Sequence, residues 1–158
     1  EYDIIIPGYK CNMTDIMASI GLVQLDRYPK LLERRLELVA KYNKGFEGSR
    51  VIPLVHNTKD HKSSNHLYIT HVEGATFEQR GEIITKMAER GISCNVHYKP
   101  LPLLTAYKNL GFDMNDYPNA YSYYVNEVTL PLHTRLSDED IEVIVENFKE
   151  VIAEVVGE

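Results

Sequence analysis

Residues 16–25 constrain the fold most strongly, because apolar residues occupy nearly every side of the helix that this segment predicts. Thr14 precedes the segment at the position of an N-cap, and Asp15 places a carboxylate in the first turn. A helix that is apolar all round is a buried one. Small residues at positions 18, 19 and 21 would let another backbone approach closely. The chain must therefore place a second surface over this helix, although it has little surface to spare.

Length and composition permit one ordinary domain with a core, since 44% of the 158 residues are hydrophobic. The 23 acidic residues outnumber the 17 basic ones, and there is no basic run, which argues against nucleic acid as a partner. No apolar run approaches the roughly 20 residues that a membrane helix needs, so we expect no membrane partner. Cys11 and Cys94 lie far apart and outside any C-x-x-C pattern, which favours reduced thiols and a cytoplasmic location.

Hydrophobic periodicity predicts the remaining elements. β-branched and alternating apolar residues predict five strands: 2–10, 51–55, 67–72, 92–98 and 128–130. Helical spacing predicts helices at 16–25, 30–46, 77–89 and after Ser137, with two short helical pieces within 103–127. Pro29 is expected to end the first helix and to open the second.

Two helices carry the clearest signals. Thr76 and Gln79 have the spacing of a capping box, and an apolar stripe follows them. Its predicted members are Phe77, Ile84, Met87 and Ala88. Ser137 precedes three acidic residues and a second stripe that matches the i, i+3, i+4, i+7 template. The members of that stripe are Ile141, Ile144, Val145, Phe148, Ile152 and Val155.

The order of elements predicts an α+β domain, with a small, largely antiparallel sheet and helices on one face. Residues 1–48 are interpreted as a segment that connects to a neighbouring domain, and residues 49–158 as the domain itself. The first residues carry no initiator Met and no signal-peptide pattern, so we expect the chain to begin inside a longer protein.

Two stretches place polar groups where a ligand could bind. Residues 7–15 combine a lysine, an asparagine and a helix N-terminus, which suits either an anion such as phosphate or a simple N-capped turn. Residues 95–102 end a strand with an imidazole, a phenol and an ammonium group, which suits either a site at a loop mouth or an edge strand stopped by proline. Four histidines recur every five residues between positions 56 and 71, a spacing that fits no single helix or strand face, so we predict no metal site.

These two stretches, in this order and at this separation, resemble the DegT/DnrJ/StrS family of sugar aminotransferases. The family segment GY-[NK]-x-[RN]-M-T-[DE]-I-x-A-A-[IL]-G-L-x-Q-L is matched by residues 8–25, GYKCNMTDIMASIGLVQL. Further matches lie at 33–35, 63–68, 91–92, 96–101, 130–133 and 136–140. The similarity covers essentially the whole chain, and so many motifs in register make it specific.

The resemblance implies the fold of the aspartate aminotransferases, which is fold type I of the pyridoxal phosphate enzymes, with this chain as the small C-terminal domain and its connecting helices. It implies an aminotransferase that moves an amino group, usually from glutamate, to the keto-sugar of a nucleotide-linked sugar in polysaccharide biosynthesis. Pyridoxal phosphate is the electron sink in that chemistry. The Schiff-base lysine belongs to the large domain upstream of Gly8, so this chain is expected to hold no catalytic residue, to bind no cofactor and to be inactive alone.

The resemblance also implies site residues and partners. In the family dimer, the segment that matches residues 8–14 reaches the partner's active site, and either Lys10 or Asn12 is the implied contact of the cofactor phosphate. His97, Tyr98 and Lys99 are the implied contacts of the nucleotide sugar, with the Lys99 cation beside its diphosphate. The implied protein partners are the chain's own large domain and a second subunit in a homodimer.

Two alternative interpretations remain open at this stage. One is a sugar dehydratase of the same family, in which histidine replaces the lysine of the large domain. The other is a non-catalytic interaction or regulatory domain that has the same small-domain fold. The large domain distinguishes all three interpretations.

Overall fold

The computed structural model describes residues 2–8 and 13–157. Five α-helices and three β-strands are assigned within these residues, and two 3₁₀ turns lie at 101–103 and 114–116. The elements in chain order are α1 Asp15–Gly45, β1 Val51–Pro53, β2 Tyr68–Val72, α2 Phe77–Glu89, α3 Thr105–Asn109, α4 Pro118–Val125, β3 Glu127–Leu130 and α5 Asp138–Val156.

The three strands form an antiparallel sheet in the order β1-β2-β3. Residues of β2 alternate between the two faces, as the pleat of a strand requires. Tyr68, Thr70 and Val72 are buried on the face that meets the helices, and Val128 and Leu130 of β3 share that face by register. Because the sheet has one fully buried face and a helical layer, the predicted α+β class is observed.

The core lies between this sheet face and the helices α1, α2 and α5. Tyr42 of α1 stacks on Tyr68 of β2 with ring centroids 4.4 Å apart, and Phe46 meets Phe148 of α5 edge to face at 5.8 Å. The Tyr42 hydroxyl donates to the carbonyl of Pro131 at 2.8 Å, so the buried phenol is satisfied. The second half of α1 is therefore part of the core.

Both capping boxes have the predicted geometry. The Thr76 hydroxyl accepts from the amide of Gln79, and the Gln79 side chain accepts from the amide of Thr76. Ser137 and Asp140 form the same reciprocal pair before α5. In α2 the predicted stripe is rotated, because the buried positions are Arg80, Ile83 and Met87. Phe77 and Ala88, which the sequence placed in the stripe, are exposed.

Pro29 does not break α1, which runs through it without interruption. A proline inside a helix removes one backbone hydrogen bond to the carbonyl four residues earlier, and its ring crowds that turn. All residues from 19 to 30 are exposed, so the ring has room and water can reach the unpaired carbonyl. The predicted division into two helices is therefore wrong.

Two predicted strands are also absent from the described residues. Residues 2–8 contain no strand; instead the amide of Ala106 donates to the carbonyl of Ile4, and Asp3 accepts from the amide of Thr105 at 3.0 Å. The Thr105 hydroxyl also donates to Asp3, and this bond is the largest cause of the lowered pKa of Asp3, followed by the bond from the Thr105 amide. Residues 92–98 hold only one isolated bridge, between Asn95 and Thr129.

The apolar first half of α1 is exposed in this chain. Its side chains include Ile16 at 76%, Leu22 at 68% and Leu25 at 66% of full exposure. The covering surface that the sequence demands is therefore not supplied by the described residues. No helix among residues 2–8 and 13–157 combines the length and the apolar character needed to cross a membrane.

Two helical glycines give opposite predictions for stability. At Gly81 in α2, an added Cβ would meet nothing within 4 Å, so Gly81→Ala should raise the free energy of unfolding by about 0.5–1 kcal/mol. At Gly45 in α1, the same atom would lie 2.9 Å from both methyl carbons of Val145, so Gly45→Ala should lower stability. Thermal denaturation of the two variants tests this difference, and a gain in melting temperature at both sites would contradict the packing of α1 on α5.

Candidate functional site

The segment that carries His97, Tyr98 and Lys99 lies along the free edge of β3. Its start is fixed by two backbone hydrogen bonds between Asn95 and Thr129, at 3.1 Å and 2.8 Å. These two bonds make Asn95 and Thr129 a hydrogen-bonded pair of an antiparallel ladder. The next such pair along a regular ladder would join His97 and Glu127, since paired residues alternate in steps of two.

The chain leaves the ladder at that pair. The amide of His97 donates to Oε2 of Glu127 at 3.0 Å, so the carboxylate of Glu127 replaces a backbone carbonyl as the acceptor. Thr129 Oγ1 donates to the other carboxylate oxygen, Oε1, at 2.5 Å. The predicted strand 92–98 is therefore interrupted at His97, whose amide bonds to the side chain of Glu127 and not to its backbone.

Glu127 is a buried carboxylate, only 4% exposed. Burial raises its pKa, while the bonds from Thr129 and His97 and the positive charge of Arg80 act in the opposite direction. A carboxylate that receives hydrogen bonds on both oxygens is oriented precisely. Glu127 thus ties the segment at 97 to the sheet.

Arg80 is the buried cation beside Glu127, at 5% exposure. Its guanidinium carbon lies 4.5 Å from the ring centroid of Phe77 and 4.6 Å from that of Tyr124. Nη1 donates to the carbonyl of Tyr124 at 3.0 Å, near the C-terminus of α4, where a cation is favoured. The two ring contacts and the carbonyl bond stabilise this buried charge, while its Nε is buried without a hydrogen-bond partner among the described residues.

The ring of His97 is partly buried and meets the ring of Tyr98 edge to face, with centroids 4.7 Å apart. Burial lowers its pKa, and the nearby His66 lowers it further. Nδ1 is buried and has no hydrogen-bond partner among the described residues. The imidazole is therefore neutral near physiological pH and offers one donor and one acceptor.

The structure brings two of the three predicted contacts together. His97 and Tyr98 line a cavity of about 300 Å³ on the outer face of the sheet, together with His71, Tyr123 and Glu127. His71 donates or accepts at Asn126 through Nδ1, and its Nε2 is buried without a partner in the described part of the chain. Aromatic rings and imidazoles make this cavity suited to a flat or partly polar ligand.

Lys99 lies on a different cavity, of about 400 Å³, which Arg80, Phe77, Asn95 and Tyr124 also line. The positive charge of Lys99 contributes to the lowered pKa of Asp3. The three consecutive residues therefore divide between two neighbouring cavities.

The two predicted phosphate contacts, Lys10 and Asn12, lie outside the described residues. Gly8 and Thr14, which flank them, are both exposed, and a Cβ at Gly8 would meet no atom within 4 Å. Thr14 caps α1, since its hydroxyl accepts from the amide of Met17 at 3.3 Å. The helix α1 begins at Asp15, and the N-terminus of a helix is where an anion is stabilised.

Other chemistry is limited among the described residues. No group of three His, Cys, Asp or Glu side chains in residues 2–8 and 13–157 is arranged to hold a metal ion. Burial raises the pKa of the Cys94 thiol to about 12, so it is protonated and not a nucleophile at neutral pH. Cys94 also lines the cavity with Arg80, while His97 lines the other one.

Sequence reasoning missed Arg80 and Glu127. Arg80 lies three residues after Phe77 and four before Ile84, so a charged residue at a stripe position was a signal for a buried cation. Glu127 begins a strand whose other members are Val128, Thr129 and Leu130, and an acidic residue there was a weaker signal of the same kind. Neither signal indicated which residues would bond to Arg80 or to Glu127.

Comparison with known proteins identifies the class of fold. The chain superposes on Spr1654 from Streptococcus pneumoniae, described as a candidate sugar aminotransferase, with a TM-score of 0.89 and 64% identity. The match covers 99% of this chain and 39% of Spr1654, which has also been solved in PLP and PMP forms. The predicted fold, the small C-terminal domain of a fold type I pyridoxal phosphate enzyme, is confirmed.

A model of the DegT/DnrJ/EryC1/StrS aminotransferase family matches residues 1–149, so the chain belongs to that pyridoxal phosphate-dependent family. The spore coat polysaccharide biosynthesis protein SpsC of Bacillus subtilis is 34% identical over 96% of this chain and 40% of its own length. The UDP-4-amino-4,6-dideoxy-N-acetyl-beta-L-altrosamine transaminase of Helicobacter pylori is 30% identical over 85% of this chain and 36% of its own length. The chain thus spans about two fifths of the curated relatives that it matches.

The positive charge of Arg80 acts on the buried Glu127 without a direct ion pair, and this coupling predicts a pH-dependent loss of stability. Arg80→Met should lower the free energy of unfolding by roughly 2–4 kcal/mol at neutral pH, because it removes the bond to the Tyr124 carbonyl, the two aromatic contacts and a positive charge that stabilises the ionised Glu127. A raised folded-state pKa means that Glu127 favours the fold below about pH 4.5 and that this contribution is lost as the pH rises. Without Arg80 that pKa rises further, so the deficit of the variant should grow between about pH 4.5 and neutrality.

Denaturant unfolding at several pH values measures this deficit. The control is Glu127→Gln in the Arg80→Met background, which removes the titrating group and should flatten the pH dependence of the deficit. An Arg80→Met deficit of equal size at all pH values would show that the two charges are not coupled.

Proposed function

We propose that the full-length protein is a pyridoxal phosphate-dependent aminotransferase that moves an amino group from glutamate to the keto-sugar of a nucleotide-linked sugar, in amino-sugar or cell-surface polysaccharide biosynthesis. This chain supplies its small C-terminal domain, and the lysine that holds the cofactor lies in a large domain upstream. The observation that carries the proposal is the family match over residues 1–149. The 64% identity to Spr1654 supports it.

The cofactor supplies an electron sink for moving the amino group. This chain's contribution to holding it is the segment around Lys10 and Asn12, where either an ammonium or an amide meets the phosphate. Support comes from the exposed flanks Gly8 and Thr14 and from the start of α1 beside them. Donor groups and the positive end of the helix both favour a bound phosphate.

The nucleotide sugar meets the segment at His97, Tyr98 and Lys99. The neutral imidazole of His97 and the exposed ring of Tyr98 bind and orient polar and flat parts of the substrate, and the Lys99 ammonium pairs with the diphosphate. The placement of Lys99 on a neighbouring cavity supports different roles for adjacent residues, since an extended substrate spans both.

Residues 1–48 are proposed to connect residues 49–158 to the large domain and to a second subunit. The exposed apolar half of α1 supports this assignment, because monomeric proteins rarely leave so large an apolar surface in water. In the full-length homodimer this half of α1 is covered.

The test of function uses the full-length protein loaded with pyridoxal phosphate. Glutamate alone should convert the cofactor to its amino form, which changes the visible absorption spectrum, and should release 2-oxoglutarate. A panel of nucleotide-linked 3-keto and 4-keto sugars should then include at least one that is aminated and that restores the original spectrum. Mass spectrometry identifies the aminated product.

Lys99→Gln separates the two halves of this reaction. The variant should keep the wild-type rate with glutamate and raise KM for the keto-sugar nucleotide by roughly tenfold, as expected for one lost ionic bond. Lys149→Gln, on the exposed face of α5, is the matched control and should change neither value. Cofactor that glutamate leaves unchanged in the wild-type protein would contradict an aminotransferase, and product that has lost oxygen without gaining nitrogen would indicate a dehydratase.

Association through α1 is tested with this 158-residue chain. We expect it to elute as a dimer or larger at micromolar concentration, because the apolar half of α1 is uncovered. Leu22→Glu should shift it toward monomer, whereas Gln24→Glu adds the same charge without removing apolar surface and should shift it less. A monomeric wild-type chain would contradict the proposed role of α1.

A further inference from the structure

We infer that Glu127 is a positioning residue, which sets the His97–Lys99 segment for the nucleotide sugar by holding the backbone of His97. This inference rests on the proposed function for the role of the segment, and on the described geometry for the way it is held. Glu127 itself acts through His97 rather than by direct contact with the reacting atoms.

The register of the chain beside β3 sets where the segment would lie in a regular sheet. The Asn95–Thr129 pair fixes where each later residue would lie, and His97 would oppose Glu127 in a continued ladder. In a continued ladder the side chains of residues 97, 98 and 99 would point alternately to the two faces of the sheet. Bonding to the side chain of Glu127 instead lets the backbone turn away from the sheet at His97.

Hydrogen bonds to both carboxylate oxygens hold the side chain of Glu127 in place. Its Oε1 accepts from Thr129, its Oε2 accepts from His97, and the charge of Arg80 lies nearby. Arg80 in turn contacts the rings of Phe77 and Tyr124 and donates to the carbonyl of Tyr124. Glu127, the anchor of the segment, is therefore bonded within the sheet through Thr129 and coupled electrostatically to Arg80 of α2, which is itself bonded to α4.

The bond to Glu127 positions the side chains of His97, Tyr98 and Lys99. His97 and Tyr98 reach the cavity on the outer face of the sheet, and Lys99 reaches the neighbouring one. This division between cavities occurs within three residues of the anchored amide. A substrate contact displaced by about 1 Å loses much of its value, so loss of the anchor should weaken substrate binding more than it changes chemistry at the cofactor.

The experiment uses the full-length, cofactor-loaded protein and compares Glu127→Ala with Glu127→Gln. Glu127→Ala removes the acceptor, and it should raise KM for the keto-sugar nucleotide by roughly tenfold while the rate of the glutamate half-reaction stays within about twofold. Glu127→Gln keeps a carbonyl oxygen for the amide of His97 and should restore KM to near the wild-type value. Hydrogen exchange of the His97 amide should be faster in Glu127→Ala and close to wild type in Glu127→Gln.

A milder pair of variants guards against loss of folding at a buried site. Thr129→Val leaves Glu127 in place but removes the donor to Oε1, and it should raise KM by about two- to fivefold. Thr70→Val is the matched control, since Thr70 is also a buried threonine of the sheet, on its core face, and its hydroxyl donates to the carbonyl of Val128 at 2.7 Å. Thr70→Val should leave KM unchanged.

Two results would overturn the inference: an unchanged KM in Glu127→Ala, or an equal rise of KM in Thr129→Val and Thr70→Val. These results leave the proposed function intact, because the wild-type protein still transfers the amino group. If the wild-type protein transfers no amino group to any keto-sugar nucleotide, the proposed function is wrong. The role of Glu127 in holding His97 is then tested by hydrogen exchange alone. Equal exchange of the His97 amide in the wild type and in Glu127→Ala would then reject it.

Discussion

The arrangement of the candidate site depends on the hydrogen bond that the amide of His97 donates to the carboxylate of Glu127. A strand edge normally continues by pairing backbone with backbone, and here a buried side chain accepts the bond that a backbone carbonyl would have taken. The bonds from Thr129 and His97 and the positive charge of Arg80 offset part of the cost of burying that charge, and the pKa of Glu127 stays raised because burial is the larger effect. The chain therefore turns away from the edge of β3 and places the side chains of His97, Tyr98 and Lys99 at the two cavities, instead of pairing as a further strand.

The parts of the fold that could be predicted from the sequence are those fixed by local chemistry. Capping residues determine where α2 and α5 begin, and the apolar stripe of α5 is buried at nearly every predicted position, because each signal lies within a few residues of its effect. The α+β class and the family followed from the order of the elements and from the motifs. Pro29 shows the limit, since whether a proline ends a helix depends on the space around its ring, which is a tertiary property.

The candidate site shows the same limit more sharply. The sequence indicated His97, Tyr98 and Lys99 as a group, but their separation into two cavities depends on a carboxylate thirty residues away from His97. A long-range bond of that kind has no periodic signal. The burial of Arg80 could not be predicted for a related reason. A buried helix face is recognised by its apolar residues, and an arginine interrupts that pattern. The phosphate contacts Lys10 and Asn12 stay a prediction.

The continuity of α1 has a mechanical consequence. At about 1.5 Å per residue, its 31 residues make a rod of about 46 Å, with its far end packed in the core and its near end bare. A surface that covers the exposed end is thereby coupled to the domain through the helix, so movement at one end is transmitted to the other. Pro29 lies at the midpoint of the rod and lacks one ladder bond, so that is where bending costs least and where a pivot between the two clamped ends would fall.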